Sequence, residues 1–241
     1  MDDLHRLGRV VPGWTPPPRP DRAPLEGRHV RLEPLDADAH AGDLHRAFSR
    51  DDRLWDYLPY GPFASASGYH RWVKDHSGGT DPVFYALRDL AGGHCGGVAS
   101  FLRITPEAGT IEVGHICIAP ELQHGRAATE AMFLMMQWAF GAGYRRYEWK
   151  CNALNLGSRR AAQRLGFSFE GVLRQAAVVK GRNRDTAWFA VIDSEWSALR
   201  EAYQAWLDPA NFDSGGRQKE RLSDLTGLVR PGRDPALAAG R

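Results

Sequence analysis

Residues 111–130, IEVGHICIAPELQHGRAATE, decide how this chain is read. The β-branched apolar run predicts a strand ending near Ala119-Pro120, a short loop containing Gly125, and a helix opening at about Ala127. The first amides of a helix have no partner within it, and the macrodipole adds roughly half a positive charge there. A strand delivering a glycine-containing loop to a helix N-terminus is therefore a physical design for holding phosphate. His124 and Arg126 add further donors for an anion.

Working outward, the helix that follows reads ATEAMFLMMQWAF and is apolar around nearly its whole circumference. Such a helix must lie buried against a sheet, which makes Met132, Met135, Met136, Trp138 and Phe140 core residues rather than a ligand stripe. Upstream, Arg28–Leu35 alternates as a first strand, Asp36 caps a helix running to about Phe48, and Asp51–Leu58 predicts a short helix. A further helix near Ser67–His76 leads to a strand pair, Val83–Arg88 and Cys95–Ile104, joined through Gly92-Gly93. Downstream come a strand Arg145–Cys151, a helix Leu156–Leu165 stopped by Gly166, and strands Phe167–Val179 and Thr186–Ile192. Trp196, Leu199, Tyr203, Trp206 and Leu207 form one face of a closing helix.

The flanks differ in composition. Residues 1–25 are a proline-rich arm that forbids helix and disfavours sheet, although Val10, Val11 and Trp14 could drape over the domain or a partner subunit. Residues 26–207 hold the patterned elements, and 208–241, polar and glycine-rich, predict a flexible extension. The net charge of +2 is too balanced for generic nucleic-acid or membrane binding. No Cys-x-x-Cys or His-x-x-x-His spacing occurs, so no metal site is expected. Cys95, Cys117 and Cys151 each lie in a strand-like run, where free cysteine behaves as a small buried hydrophobe. The opening MDDLHRLGRVVPGW lacks the apolar core of a signal peptide, and the longest apolar helix is too short to span a bilayer. The expectation is a soluble, cytoplasmic protein.

Three segments together resemble the GNAT acyltransferase superfamily, in particular its RimJ/RimL-like, ribosomal-protein N-acetyltransferase-like branch. They are IEVGHICIAPELQHGRAATEA, NLGSRRAAQRLGF and FEGVLRQAAVVKGRNRDTAWFAVID, in that order, within a resemblance spanning about Leu25 to Leu207. It implies an α/β (α+β) acyl-CoA N-acyltransferase fold: a mixed, mostly antiparallel sheet with helices on both faces and a splay between its central strands. It also implies acetyl-CoA as co-substrate and an amine acceptor, with no metal, nucleic acid or membrane. A homodimer through the closing helix and the Trp14 arm is compatible with the sequence, which does not fix it.

The family's loop pattern, Gln/Arg-x-x-Gly-x-Gly/Ala, clamps the pyrophosphate of acetyl-CoA with backbone amides. Gln123 and Ala128 match its ends; Arg126 stands where the middle glycine is expected, and Gly125 is one place early. The clamp would thus comprise Gln123, His124, Gly125, Arg126, Ala127, Ala128 and Thr129, with Arg126 offering a charge-assisted bond. The resemblance places the pantetheine arm between the edges Ile116–Ala119, including Cys117 and Ile118, and Lys150–Ala153. An amide near Ile118 would face the thioester oxygen. Asn155 matches an asparagine that bonds the arm, is equally suited to cap the helix after it, and Ser158 would lie near the sulfur.

Acetyl transfer needs an uncharged amine and help for the departing thiolate. Glu112, eleven residues before Gln123, is the candidate base, and alternation puts it on the face of Gly114 and Ile116 with His115 opposite. A bulge could reverse this, which keeps His115 as second candidate. Ser158 is the candidate acid, because Ala162 occupies the position of the family's tyrosine. Segments Trp55–Phe63 and Lys180–Arg184 should line the acceptor side. The acceptor implied is a protein or peptide N-terminal amine. Open alternatives are a small-molecule (antibiotic or aminoacyl-nucleotide) N-acetyltransferase and, in another class, a non-catalytic acyl-CoA-binding or scaffold protein. Arg159, Arg160 and Arg164 fit a solvated face or the 3′-phosphate of CoA better than nucleic acid.

Overall fold

The computed structural model describes residues 8–238. Eight strands form one sheet: β1 (Leu25–Glu26), β2 (Val30–Pro34), β3 (Val83–Asp89), β4 (Cys95–Thr105), β5 (Thr110–Ile118), β6 (Arg146–Asn152), β7 (Ser168–Val179) and β8 (Arg182–Ile192). Their spatial order is β1-β2-β3-β4-β5-β6-β8-β7, antiparallel at every neighbour except the central pair β5–β6. A parallel neighbour needs a crossover, and α3 (Arg126–Gly141) supplies it. This is the mostly antiparallel α/β architecture that the resemblance implies.

Helices cover both faces. On one, α1 (Ala37–Phe48) and α2 (Ala66–His76) bury Leu44, Phe48, Tyr69 and Val73 against Phe84, Ala86 and Val98. On the other, α3 buries Ala131, Met132, Met135, Met136 and Ala139 against Leu32, Tyr85, Ala99 and Phe101, so the methionines are core. Helix α5 (Asp193–Leu207) packs on α3 through Tyr203, whose ring stacks on Phe133 at 5.1 Å. Asp36 caps α1 by accepting the Ala39 amide at 2.8 Å. The helix expected over Asp51–Leu58 shortens to a 3-10 turn, Asp52–Trp55, because Pro59 and Gly61-Pro62 close off its continuation.

One buried carboxylate ties α3 to the start of the sheet. Glu130 accepts the backbone amides of Arg28, His29 and Val30 at 2.9, 2.6 and 3.1 Å. The approach is so close that a Cβ on Gly27 would stand 2.5 Å from the Glu130 carboxylate, which explains the glycine there.

From Trp14 onward the N-terminal arm lies on the domain, as does the C-terminal segment up to Ala238. Trp14 packs over Gly109, where a Cβ would come within 2.5 Å of the indole, and the Arg145 guanidinium sits 5.9 Å from its ring. The Tyr144 hydroxyl donates to the Pro18 carbonyl at 3.1 Å. The C-terminal segment corrects an expectation: instead of a flexible extension, Asp208–Ala238 folds back over α4 (Leu156–Arg164). It carries a short helix, α6 (Leu222–Gly227), buries Leu222 and Thr226 completely, and inserts Asp234 beneath the surface. There Arg159 donates to both Asp234 oxygens at 2.6 Å. A segment too polar to build its own core is held by this buried ion pair and by lending Leu222, Leu225 and Val229 to the core of the domain.

Candidate active site

The central strands part as expected. Parallel pairing of β5 and β6 runs only from Thr110↔Arg146 to Val113↔Trp149, after which β6 keeps its partner β8 and β5 keeps β4. The cause lies in β5: between Ser100↔Gly114 and Val98↔Cys117, two steps on β4 face three on β5. This bulge, with His115 at φ 51°, bends β5 away from β6. Because the Ala119 amide donates to Gly96 on β4 at 2.8 Å, alternation turns the Ile118 amide into the gap. The Ile118 carbonyl is already taken by the Gln123 side chain, which donates to it at 2.9 Å.

The bulge also changes which side chains share a face. Ile116 moves to the α3 side, while His115 and Cys117 join Glu112 and Gly114 on the α1–α2 side. The alternation placing Glu112 with Ile116 and His115 opposite is thus overturned. His115 lies against Phe84 and Tyr60, with the Tyr60 hydroxyl 3.1 Å from its Nδ1. Burial, with His76 and Arg184 nearby, pulls the His115 pKa down to about 4, so it is neutral at pH 7.

At the end of the gap stands the anion loop. Gly125 is the N-cap of α3, the Thr129 hydroxyl donates to the Gly125 carbonyl at 2.9 Å, and the amides of Arg126, Ala127 and Ala128 have no partner among the described residues. The residue in the left-handed region is His124, at φ 62°, whereas Arg126 opens the helix in ordinary geometry. Arginine in place of the family's glycine therefore costs the loop no strain. Its side chain leaves the cradle altogether: the guanidinium lies 4.7 Å over the Phe212 ring of the C-terminal segment.

Across the gap, Asn155 caps α4 by accepting the Ser158 amide at 3.0 Å, while the Ser158 hydroxyl accepts from Trp149 Nε1 at 3.0 Å. Ala162, in the family's tyrosine position, is fully buried in the core. A single cleft of about 1440 Å³ joins the free amides, the splay, Ser158, Glu112 and His115.

Glu112 sits in a chain of charges whose inner pair, Glu112 and Lys150, is buried. Lys150 Nζ lies 2.9 Å from Glu112 and 2.8 Å from Glu148, and 3.5 Å over the Trp188 ring. Arg103 flanks Glu112 at 3.3 Å, and Arg146 pairs with Glu148 at 2.6 Å. Burial pushes the Glu112 carboxyl above its ordinary value, while Lys150 and then Arg103 pull it back in part. The sequence places Lys150 only at the edge of the pantetheine gap and not as the partner of Glu112, although alternation along RYEWKCN puts Arg146, Glu148 and Lys150 on one face.

The two acceptor-side segments meet, as Lys180 Nζ donates to the Trp55 carbonyl at 2.8 Å. Their aromatic rings mostly serve packing: Trp55, Tyr60 and Phe63 pack on one another and on Tyr69 and Trp72. Tyr57 alone among them is exposed. The cysteines are all buried and burial raises each thiol, Cys95 to about 11. Among the described residues Glu33, His40 and Cys95 cluster closely. Arg88 already binds both Glu33 oxygens at 2.9 and 3.0 Å, and the Asp36 amide donates to His40 Nδ1, leaving Nε2 to donate to Glu33 at 2.8 Å. A cation there would have to displace a guanidinium.

Comparison with known proteins agrees with this geometry. Residues 29–168 match the family described as Acetyltransferase (GNAT) domain. The chain belongs to the GNAT acetyltransferase family, which uses acetyl-CoA. It resembles the crystal structure of a GCN5-related N-acetyltransferase from Brucella melitensis, with 49% identity and a TM-score of 0.88 over 90% of this chain and 100% of that one. A probable acetyltransferase of the GNAT family from Chromobacterium violaceum has 40% identity and a TM-score of 0.75, over 80% and 97%. The ribosomal-protein-serine acetyltransferase of Escherichia coli is 33% identical over 100 residues, 41% of this chain, and the match spans 56% of that protein. No helix among the described residues is long and apolar enough to cross a membrane.

Proposed function

We propose that the protein transfers an acetyl group from acetyl-CoA to a primary amine, and that the amine is the N-terminus of a protein or peptide. One observation carries the reading: a single cleft contains the unpartnered amides of Arg126, Ala127 and Ala128, the splay at Ile118, and the buried carboxylate Glu112. Such residues fit the coenzyme. Three free helix amides suit a pyrophosphate, and strand edges with exposed donors and acceptors suit an amide-bearing arm. Bound there, acetyl-CoA supplies an activated thioester.

The chain's own residues then have separable tasks. The Ile118 amide is the donor available to the thioester oxygen. Glu112 takes the amine proton; its raised affinity for protons makes it a better acceptor than an exposed carboxylate, and Lys150 and Arg103 favour its charged form. His115 shares the face, but a ring that binds a proton only near pH 4 and already meets Tyr60 is the weaker acceptor. Ser158, fixed by Trp149 and by the Asn155 cap, is the hydroxyl assigned to the departing sulfur.

A protein N-terminus is favoured by the name of the Escherichia coli relative and by acceptor-side rings that, Tyr57 apart, pack on one another instead of lining the cleft. The test is thiol release from acetyl-CoA with a panel of peptides of varied N-termini beside small amines. Turnover restricted to small amines removes the peptide assignment; acetyl-CoA binding with no acceptor turned over removes the enzyme.

A further inference from the structure

The C-terminal segment lies outside the residues that match the family and does more than cover α4. The cleft that holds the free amides of α3 is also lined by Arg160 and Arg164 of α4 and by Arg221, Arg230 and Arg233 of the C-terminal segment. Among the described residues, none of the five forms an ion pair with a carboxylate. One acid, Asp224, also lines the cleft, and its Oδ1 accepts the Ser223 hydroxyl at 3.3 Å. Arg164 spends two nitrogens on the neutral Thr129 hydroxyl, both at 3.2 Å, and Arg230 spends its own on the carbonyls of Gln163 and Gly232. Five cations thus line one cleft with no carboxylate partner among the described residues, an arrangement that suits a ligand bringing negative charge. Burial and the neighbouring Arg233 disfavour the Arg230 charge, in keeping with that crowding.

This lining is held in place. Arg159 and Asp234 lock the segment to α4 through a pair that is 7% and 0% exposed, and the Asp234 amide donates to Gln163 Oε1 at 2.8 Å. Arg233 adjoins that anchor, and Arg221 directly precedes α6, whose Thr226 hydroxyl donates to the Arg164 carbonyl at 3.0 Å. On the reading that acetyl-CoA binds here, the α3 amides are occupied by its pyrophosphate. The remaining anion is the phosphate monoester on the 3′-oxygen of its adenosine.

We propose that the C-terminal segment forms a wall of the acyl-CoA cleft, and that Arg221, Arg230 and Arg233 complete with Arg160 and Arg164 a site for the adenosine 3′-phosphate. The proposal rests on the acetyl-CoA reading, and its test separates the two. Calorimetric titration with CoA and with 3′-dephospho-CoA compares the full-length protein with the double variant R221Q/R233Q, whose exposed side chains can be changed without disturbing the buried pair. The parent should bind CoA at least about tenfold more tightly than the dephospho form, as charge-assisted contacts to a phosphate imply. In the double variant the ratio should collapse to about twofold, with affinity for 3′-dephospho-CoA unchanged. Equal binding of both ligands by the parent, or an undiminished ratio in the variant, overturns the site. Failure of the parent to bind either ligand removes the acetyl-CoA reading itself and the proposal with it.

Discussion

Removal of the buried anchor of the C-terminal segment should be felt as local opening rather than as loss of the fold. Asp234 is 1% exposed, and its two oxygens each accept a 2.6 Å bond from Arg159. In Asp234→Ala the guanidinium, 7% exposed, keeps only the Ala153 carbonyl at 2.8 Å. Breaking a buried pair in this way costs about 3–5 kcal/mol, mostly the burden of a desolvated charge left behind. The chain can relieve that cost by releasing the segment, since Arg159 then regains water; the sheet loses the Gly232 amide bond to Ser168 and the Leu222 packing, but its ladder and α3 keep their own backbone bonds. The loss is therefore expected in amide exchange over residues 222–238. Bonds such as Asp234 amide to Gln163 and Arg230 amide to Thr226 should open roughly two to three and a half powers of ten more often. Hydrogen–deuterium exchange read by mass spectrometry resolves this from α3 and β5, which should keep their protection. Unchanged protection of 222–238, or an equal loss across the whole domain, would refute the reasoning.

Three further outcomes follow from single contacts. Glu130→Ala leaves the amides of Arg28, His29 and Val30 without their acceptor, and urea unfolding should show a loss of about 3 kcal/mol or more; a loss below about 1 kcal/mol contradicts it. Lys150→Met removes the cation that holds Glu112 charged against its burial, so the Glu112 pKa should rise. The acid limb of kcat/KM, where activity is lost as Glu112 takes its proton, should then move to higher pH, and an unmoved limb excludes Glu112 as the titrating base. Arg126→Gly removes the stacking on Phe212 but leaves the amide cradle, so acetyl-CoA affinity should stay within about threefold by calorimetry. A tenfold loss would show that the side chain, not the backbone, carries the phosphate.

What the sequence made legible was local. The loop before α3 and the caps of α1 and α4 depend on a few adjacent residues, and Asp36, Gly125 and Asn155 stand where their positions demand. The site faces were less legible because a bulge is a property of two strands: only the register of β4 against β5 reveals that His115 and Ile116 exchange sides. Lys150 was readable from alternation, but its meaning came from the in-register pair Glu112↔Glu148 across a parallel junction. The C-terminal segment was not readable, since its anchors are long-range ones such as Arg159 with Asp234, 75 positions apart in a stretch of ordinary polar composition.

The central claim is that Glu112, in a cleft built for acetyl-CoA, receives the proton of the attacking amine. Its most direct test is thiol release by Glu112→Gln with whichever amine the parent accepts, alongside calorimetric binding of acetyl-CoA. Glutamine keeps the shape and cannot take the proton, so kcat should fall by at least about a hundredfold while acetyl-CoA affinity stays within about twofold. Turnover equal to that of the parent, with the coenzyme bound as tightly, would contradict the account.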